Sequence, residues 1–193
     1  GQGVEKSRLP GIRVADDGDV SAYIAPPYDV LDEVSKAELV GKSEQNIAVV
    51  DLPHLPAKTV GPNATYAQAG QRFAKWCESG RLQRWPRRAV FVYRQTFTAP
   101  GNPGNPGAVQ RVGLFANVQL CPFGQGVHPH EQTFGGARED RLKLMRATGA
   151  QLSPIFGLYS DEQGEIRSML AKIATGRPSF WGRTDRDGVL HEV

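Results

Sequence analysis

Residues Val127–Tyr159 read VHPHEQTFGGAREDRLKLMRATGAQLSPIFGLY. Two histidines, a carboxylate, a hydroxyl, a Gly-Gly turn and an Arg-Glu-Asp-Arg cluster come first, then an amphipathic run, then an apolar β-like segment. Turn, helix and strand in that order predict a mixed helix-and-strand fold with the reactive side chains at the mouth of a folded element. The helix is expected over residues 140–148 with Leu142, Met145 and Leu144 inward, and the strand over residues 154–159.

Upstream, residues 88–98 and 110–120 alternate as strands on either side of a Pro-Gly-Asn loop, the pattern of a long antiparallel hairpin. Residues 66–79 carry apolar side chains at helical spacing, closed by Gly80 as a C-cap. Residues 32–40 read as a short helix capped by Asp32, and Ile47-Ala48-Val49-Val50 as a buried strand. Arg13-Val14 and Tyr23-Ile24 read as short strands around an Asp17-Gly18 turn. Between them and the first helix, Pro26 and Pro27 fix an extended loop that presents Tyr28 and Asp29. Downstream, residues 162–174 read as a helix and residues 183–193 as a hairpin turning at Asp187-Gly188.

The expectation is one α+β (or α/β) domain over residues 8–193, a mixed and partly antiparallel sheet with helices around it. Its core should hold Ile47, Val49, Val90, Val92, Leu114, Phe115, Leu142, Ile155 and Leu158. The chain stops as the last return strand begins, so the domain is expected to be the N-terminal part of a longer protein.

At 193 residues, 39% of them hydrophobic, the chain can bury a core without disulfides or metals. The formal charge of +3 is scattered, and the dense run Arg81–Arg88 reads as a solvated turn. A nucleic-acid partner is therefore not expected. Cys77 and Cys121 lack metal-binding or disulfide-framework spacing. No apolar run approaches the ~20 residues of a membrane span, and the N-terminus lacks a secretory core. A cytoplasmic protein with small-molecule partners is the expectation.

The chemistry concentrates after a glycine-loosened turn. His128, His130, Glu131 and Thr133 combine imidazole, carboxylate and hydroxyl, a set suited to moving a proton at neutral pH. As metal ligands they lack a third dispersed partner, and Pro129 restrains the two imidazoles; no metal is assigned. Gly135, Gly136, Arg138 and Arg141 then offer backbone N–H groups and guanidinium groups at a helix start, which suits a phosphate. The alternative is a surface helix whose arginines and carboxylates pair with each other.

Four segments resemble the signature segments of domain of unknown function 1015, a widespread prokaryotic family. They are Pro26-Pro27-Tyr28-Asp29-Val30, His130-Glu131-x-Thr133, Asp140-Arg141-Leu142 and Ser153-Pro154-Ile155-Phe156-Gly157-Leu158-Tyr159, in order. The resemblance spans roughly residues 8–193, and members are usually about twice as long. The element order also resembles the ParB/sulfiredoxin-like superfamily, whose members bind nucleotide phosphates through Gly-x-x-Arg-x-x-Ala at a helix start. Some hydrolyse CTP, some reduce cysteine sulfinic acid with ATP, and some phosphorylate free serine. Gly135-Gly136-Ala137-Arg138 satisfies Gly-x-x-Arg, Arg141 replaces the alanine, and the turn has no cysteine.

That likeness implies nucleotide-dependent phosphoryl transfer to a small hydroxyl-bearing metabolite, with a nucleoside tri- or diphosphate and magnesium. Gly135, Gly136, Arg138 and Arg141 would hold phosphate, Glu131 or His130 would act as base, and Asp29, Tyr28, His128 and Thr133 would complete the site. The alternative function is a non-catalytic nucleotide- or protein-binding module.

Overall fold

The computed structural model of the chain describes residues 22–98, 108–130, 132–178, 181–183 and 188–193. The expected strand at Arg13-Val14, the Asp17-Gly18 turn, the hairpin tip and Glu131 lie outside the described residues. Helices and a mixed sheet make this an α+β fold. The elements distribute over two compact units, each built from separate stretches of chain.

Unit 1 comprises Pro27–Arg87 and Asn117–Ser153 and is helical among its described residues. A single 3-10 turn, Tyr28–Val30, follows the prolines. Helix α1, Glu33–Lys42, starts where the Asp32 side chain accepts the Ser35 N–H at 2.8 Å. Helix α3, Asn63–Glu78, begins three residues before the expected start and buries Tyr66, Ala69, Phe73 and Trp76, one stripe at helical spacing. Gly80 follows it with φ 74°, a conformation glycine adopts without cost.

Between them, residues 47–50 are not a strand. Asn46 is buried and its side-chain oxygen takes the Ala48 N–H at 3.0 Å, starting a short helix, α2, Ala48–Asp51. The β-branched run predicts a strand, but the local bond to Asn46 wins. In this short helix Ala48 and Val50 are fully buried, and Ile47 and Val49 are half-buried.

Helix α4, Gly135–Thr148, starts five residues earlier than expected and ends at Gly149, whose positive φ and N–H to Met145 O close the last turn. Its inner face carries Ala137, Asp140 and Leu144; Met145 is exposed and Leu142 half-buried. An aspartate, not a hydrophobe, occupies the centre of the buried face, so the apolar periodicity alone points to the wrong phase. Helices α3 and α4 approach closely at Gly70, where a methyl group would lie 2.4 Å from the Ala147 carbonyl oxygen. Val50, Tyr66, Ala69, Phe73, Trp76, Leu144 and Ala150 form the core of this unit.

Unit 2 holds the sheet. Strands β1 (Ala22–Tyr23), β2 (Phe91–Thr98), β3 (Ala108–Phe115), β4 (Trp181–Arg183) and β5 (Leu190–Glu192) lie in the order β1-β4-β5-β2-β3. The β2–β3 hairpin is antiparallel as expected, β4 and β5 form the terminal hairpin, and β1 pairs parallel to β4. Helix α5, Glu165–Ala174, is capped by Asp161, which accepts the Ile166 and Arg167 N–H groups. Arg94 on β2 makes a bidentate pair with Glu192 on β5, at 2.6 Å for both bonds, and also reaches the Ala174 carbonyl at the end of α5.

Residues 154–159 form no strand, and β3 ends at Phe115 rather than near Leu120. Ile155 and Leu158 are 86% and 87% exposed, and Val90 and Leu114 are exposed as well. Of the remaining expected core positions, Val92 and Phe115 are half-buried. A strand needs a partner edge as well as apolar side chains, and residues 154–159 have no ladder among the described residues.

Candidate functional site

The densest polar cluster lies in unit 1 and centres on Asp140. Its carboxylate is 1% exposed yet accepts from four donors. Tyr66 Oη donates to Oδ1 at 2.7 Å, and His54 Nε2 lies 2.9 Å from the same oxygen. Arg141 Nε and Nη2 donate to Oδ2 at 2.9 and 2.7 Å. Burial alone would raise the Asp140 carboxyl, but the bonds from Tyr66, His54 and Arg141 outweigh it and hold the group below its ordinary value.

Arg141 carries the network further. Its Nη1 donates to the Asp51 carbonyl at 2.8 Å and to Asp51 Oδ1 at 2.9 Å. Ser153 Oγ donates to the same carboxylate at 3.0–3.1 Å. Burial raises the Asp51 carboxyl above its ordinary value, against the pull of Arg141 and Ser153. On its flat face, the guanidinium sits 3.7 Å from the centre of the Tyr28 ring, a close cation–π contact. Burial raises the Tyr28 hydroxyl, although Arg141 opposes it.

The structure thus brings Tyr28 and Arg141 together, and places Asp29 3.2 Å from Lys58 Nζ on a partly exposed surface. The Lys58 carbonyl lies against Gly136, where a methyl group would stand only 3.0 Å from it. Gly135 and Gly136 open α4, exposed, and Phe134 before them supplies no side-chain cap. The N–H groups of the first turn therefore lack intrahelical acceptors until Arg138, whose N–H reaches the Phe134 carbonyl. The Arg138 side chain is exposed and makes no hydrogen bond or ion pair among the described residues. Arg141 differs: all its nitrogens serve protein acceptors, so little of it is left for an outside anion.

His128, His130 and Thr133 are exposed, and no hydrogen bond ties them to the network among the described residues. An open groove of about 590 Å³ runs between α3 and α4, floored by Ala67, Gly70, Ala74 and Ala147. It shares Tyr66 with the network but is lined by no histidine or carboxylate. Sequence reading missed His54, Asp51 and Tyr66 as members of the cluster. His54 sits in a Pro-His-Leu-Pro loop that carries no catalytic motif, and only folding reveals its partner.

The family model of DUF1015, "Protein of unknown function", matches residues 8–193. The chain belongs to that family. Three of the segments that carry the DUF1015 resemblance meet in this cluster: Tyr28 from the first, Asp140-Arg141 from the third, and Ser153 from the fourth, which binds Asp51. No curated protein and no solved structure matches the chain. The ParB/sulfiredoxin-like likeness accordingly has no support beyond element order and the short Gly-x-x-Arg match. That order included a Pro-led strand at residues 154–159, which the structure lacks. Among the described residues, no helix is long and apolar enough to cross a membrane.

Proposed function

We propose that unit 1 binds nucleotide phosphate at the start of α4 and transfers a phosphoryl group to a small hydroxyl-bearing metabolite in the cytoplasm. The observation that carries this reading is the first turn of α4. Its amide donors are uncapped, two exposed glycines allow close approach of an anion, and Arg138 stands beside them uncommitted. Backbone N–H groups and the helix dipole favour a phosphate there, and Arg138 adds a fork of charged donors. Phosphoryl transfer asks mainly for positioning and charge neutralisation, which such a turn supplies together with the nucleotide's magnesium. The uncrosslinked Cys77 and Cys121 agree with a reducing compartment.

The second reading is a non-catalytic nucleotide- or protein-binding module. The engagement of Arg141 within the protein favours it, because an arginine used as a structural bridge is not a transition-state clamp.

Calorimetry with ATP, ADP and CTP, each with magnesium, followed by a phosphate-transfer assay over a panel of hydroxyl metabolites, tests both. Binding that weakens in Arg138→Ala by about 1.5–3 kcal/mol, together with phosphate transfer by the wild type, supports the enzyme. Binding without turnover selects the module, and no binding of any nucleotide to the wild-type protein removes the nucleotide reading.

A further inference from the structure

The histidines prominent in the sequence, His128 and His130, have no orienting partner among the described residues. His54 has three. Its Nε2 faces Asp140 Oδ1 at 2.9 Å, the edge of the Tyr66 ring packs against the imidazole with centroids 5.5 Å apart, and Gly61 walls the ring. A methyl group at Gly61 would lie 2.3 Å from the imidazole, so only glycine leaves room for it.

The tautomer follows from the donors and acceptors. Asp140, held below its ordinary carboxyl value, is ionised at neutral pH and can only accept. The proton between it and His54 therefore belongs to Nε2. Tyr66 gives its own proton to the same carboxylate and takes the Gly61 N–H at 2.9 Å, and its oxygen lies 3.1 Å from His54 Nε2, where it can accept a share of that N–H but has no proton left to donate. Neutral His54 is thus the Nε2–H form, with its lone pair on Nδ1. That atom makes no hydrogen bond among the described residues, and the side chain as a whole is 9% exposed.

Its location also fits. Asp140 follows Gly136 by four residues, just over one helical turn, about 6 Å along the axis of α4. The loop that carries His54 continues to Lys58, whose carbonyl touches Gly136. The loop therefore runs along the first turns of the helix proposed to hold phosphate.

We propose that His54 is the general base of the phosphoryl transfer and that Asp140 is its positioning residue. This rests on the phosphotransfer reading above. The acceptor's O–H proton passes to His54 Nδ1 while its oxygen forms the new bond to the terminal phosphorus of a nucleoside triphosphate. The bond from that phosphorus to the bridging oxygen breaks, and its electron pair leaves with the nucleoside diphosphate. The imidazolium, faced by Asp140 and Tyr66 with Arg141 behind the carboxylate, then returns its proton to solvent. A buried carboxylate that fixes one imidazole nitrogen so that the other can act is the logic of the acid–histidine pair in hydrolases.

Two measurements on the full chain test the proposal. Nitrogen-15 NMR of the histidine-labelled wild type should give His54 as the Nε2–H tautomer; an Nδ1–H tautomer overturns the proposal whatever the variants do. His54→Ala should then transfer phosphate roughly 10²–10⁴-fold more slowly from magnesium ATP. Its nucleotide affinity should be unchanged, and added imidazole should restore part of the rate. Unaltered turnover, or loss that imidazole does not rescue, sinks His54 as base while leaving the phosphotransfer reading in place. Failure of the wild type to bind any nucleotide removes both, and calorimetry tells the cases apart.

Discussion

Tyr66 and Asp140 are 74 positions apart in the chain and 2.7 Å apart in the structure, hydroxyl to carboxylate. The bond joins the buried faces of α3 and α4, and the same Tyr66 oxygen accepts the Gly61 N–H at 2.9 Å. One phenol therefore fixes a helix pair and the loop that walls His54.

Removing that hydroxyl isolates its contribution. Tyr66→Phe keeps the ring and its edge contact with His54 but withdraws a donor from a buried carboxylate. We expect a loss of about 1.5–3 kcal/mol, since bonds to charged groups are the stronger kind. Urea unfolding should show a lower midpoint at unchanged slope; an unmoved midpoint would mean that water replaces the hydroxyl at no cost.

Asp140 should also make stability depend on pH in a definite direction. Its folded value lies below the ordinary 3.8, so its stabilisation is complete above that value and disappears as pH falls through the folded value. Glu192 in unit 2, depressed below 4.5 by Arg94, acts in the same sense. Asp51 acts oppositely: raised above 3.8, it binds its proton more readily in the folded state, and it offsets part of the loss on acidification. The stability difference between wild type and Asp140→Asn should be large at neutral pH and shrink in acid. A constant difference across a pH series of unfolding curves would refute this assignment.

The close approach of α3 and α4 makes Gly70 sensitive. Alanine in a helix is favoured over glycine by about 1 kcal/mol. Here the added methyl would meet the Ala147 carbonyl oxygen at 2.4 Å, and a backbone oxygen cannot swing aside. Overpacking costs about 1–3 kcal/mol, so the clash should win. Gly70→Ala is expected to melt below wild type by calorimetry, and a higher melting temperature would show that the helices separate freely.

Two arginines on one helix should respond differently. Arg141→Lys keeps the charge but loses the fork that bridges Asp140 and Asp51, together with its planar stacking on Tyr28, and should cost about 1.5–3 kcal/mol of stability. Arg138→Ala, at an exposed position, should stay within about 0.5 kcal/mol of wild type while weakening nucleotide binding. Equal stability losses in the two variants would erase the distinction between bridge and ligand.

Much of the secondary structure is readable because it depends on neighbours in the chain. The stripe Tyr66, Ala69, Phe73, Trp76 marks α3, Asp32 caps α1, glycines 80 and 149 end their helices, and the hairpin of β2 and β3 follows from alternation around a turn. Where the outcome depends on distant partners, the same reasoning fails. Residues 154–159 have strand composition but no ladder partner among the described residues, whereas residues 47–50 depart from their strand-forming composition for a local reason, the Asn46 side chain that starts α2.

The candidate site divides along the same line. Gly135, Gly136 and Arg138 stand out in the sequence as a Gly-Gly turn followed by arginine, a local pattern, although the helix they open begins five residues before its expected start. The role of Arg141 is not, since its second carboxylate lies 90 positions away at Asp51. His54 is less legible still: nothing near it in the chain distinguishes it, and the carboxylate that fixes its tautomer is 86 positions away. Local hydrogen bonds and helical phase are written in short stretches of sequence. The pairing of buried charges is decided only when tertiary packing brings α2, α3 and α4 together and sets Arg141 between Asp51 and Asp140.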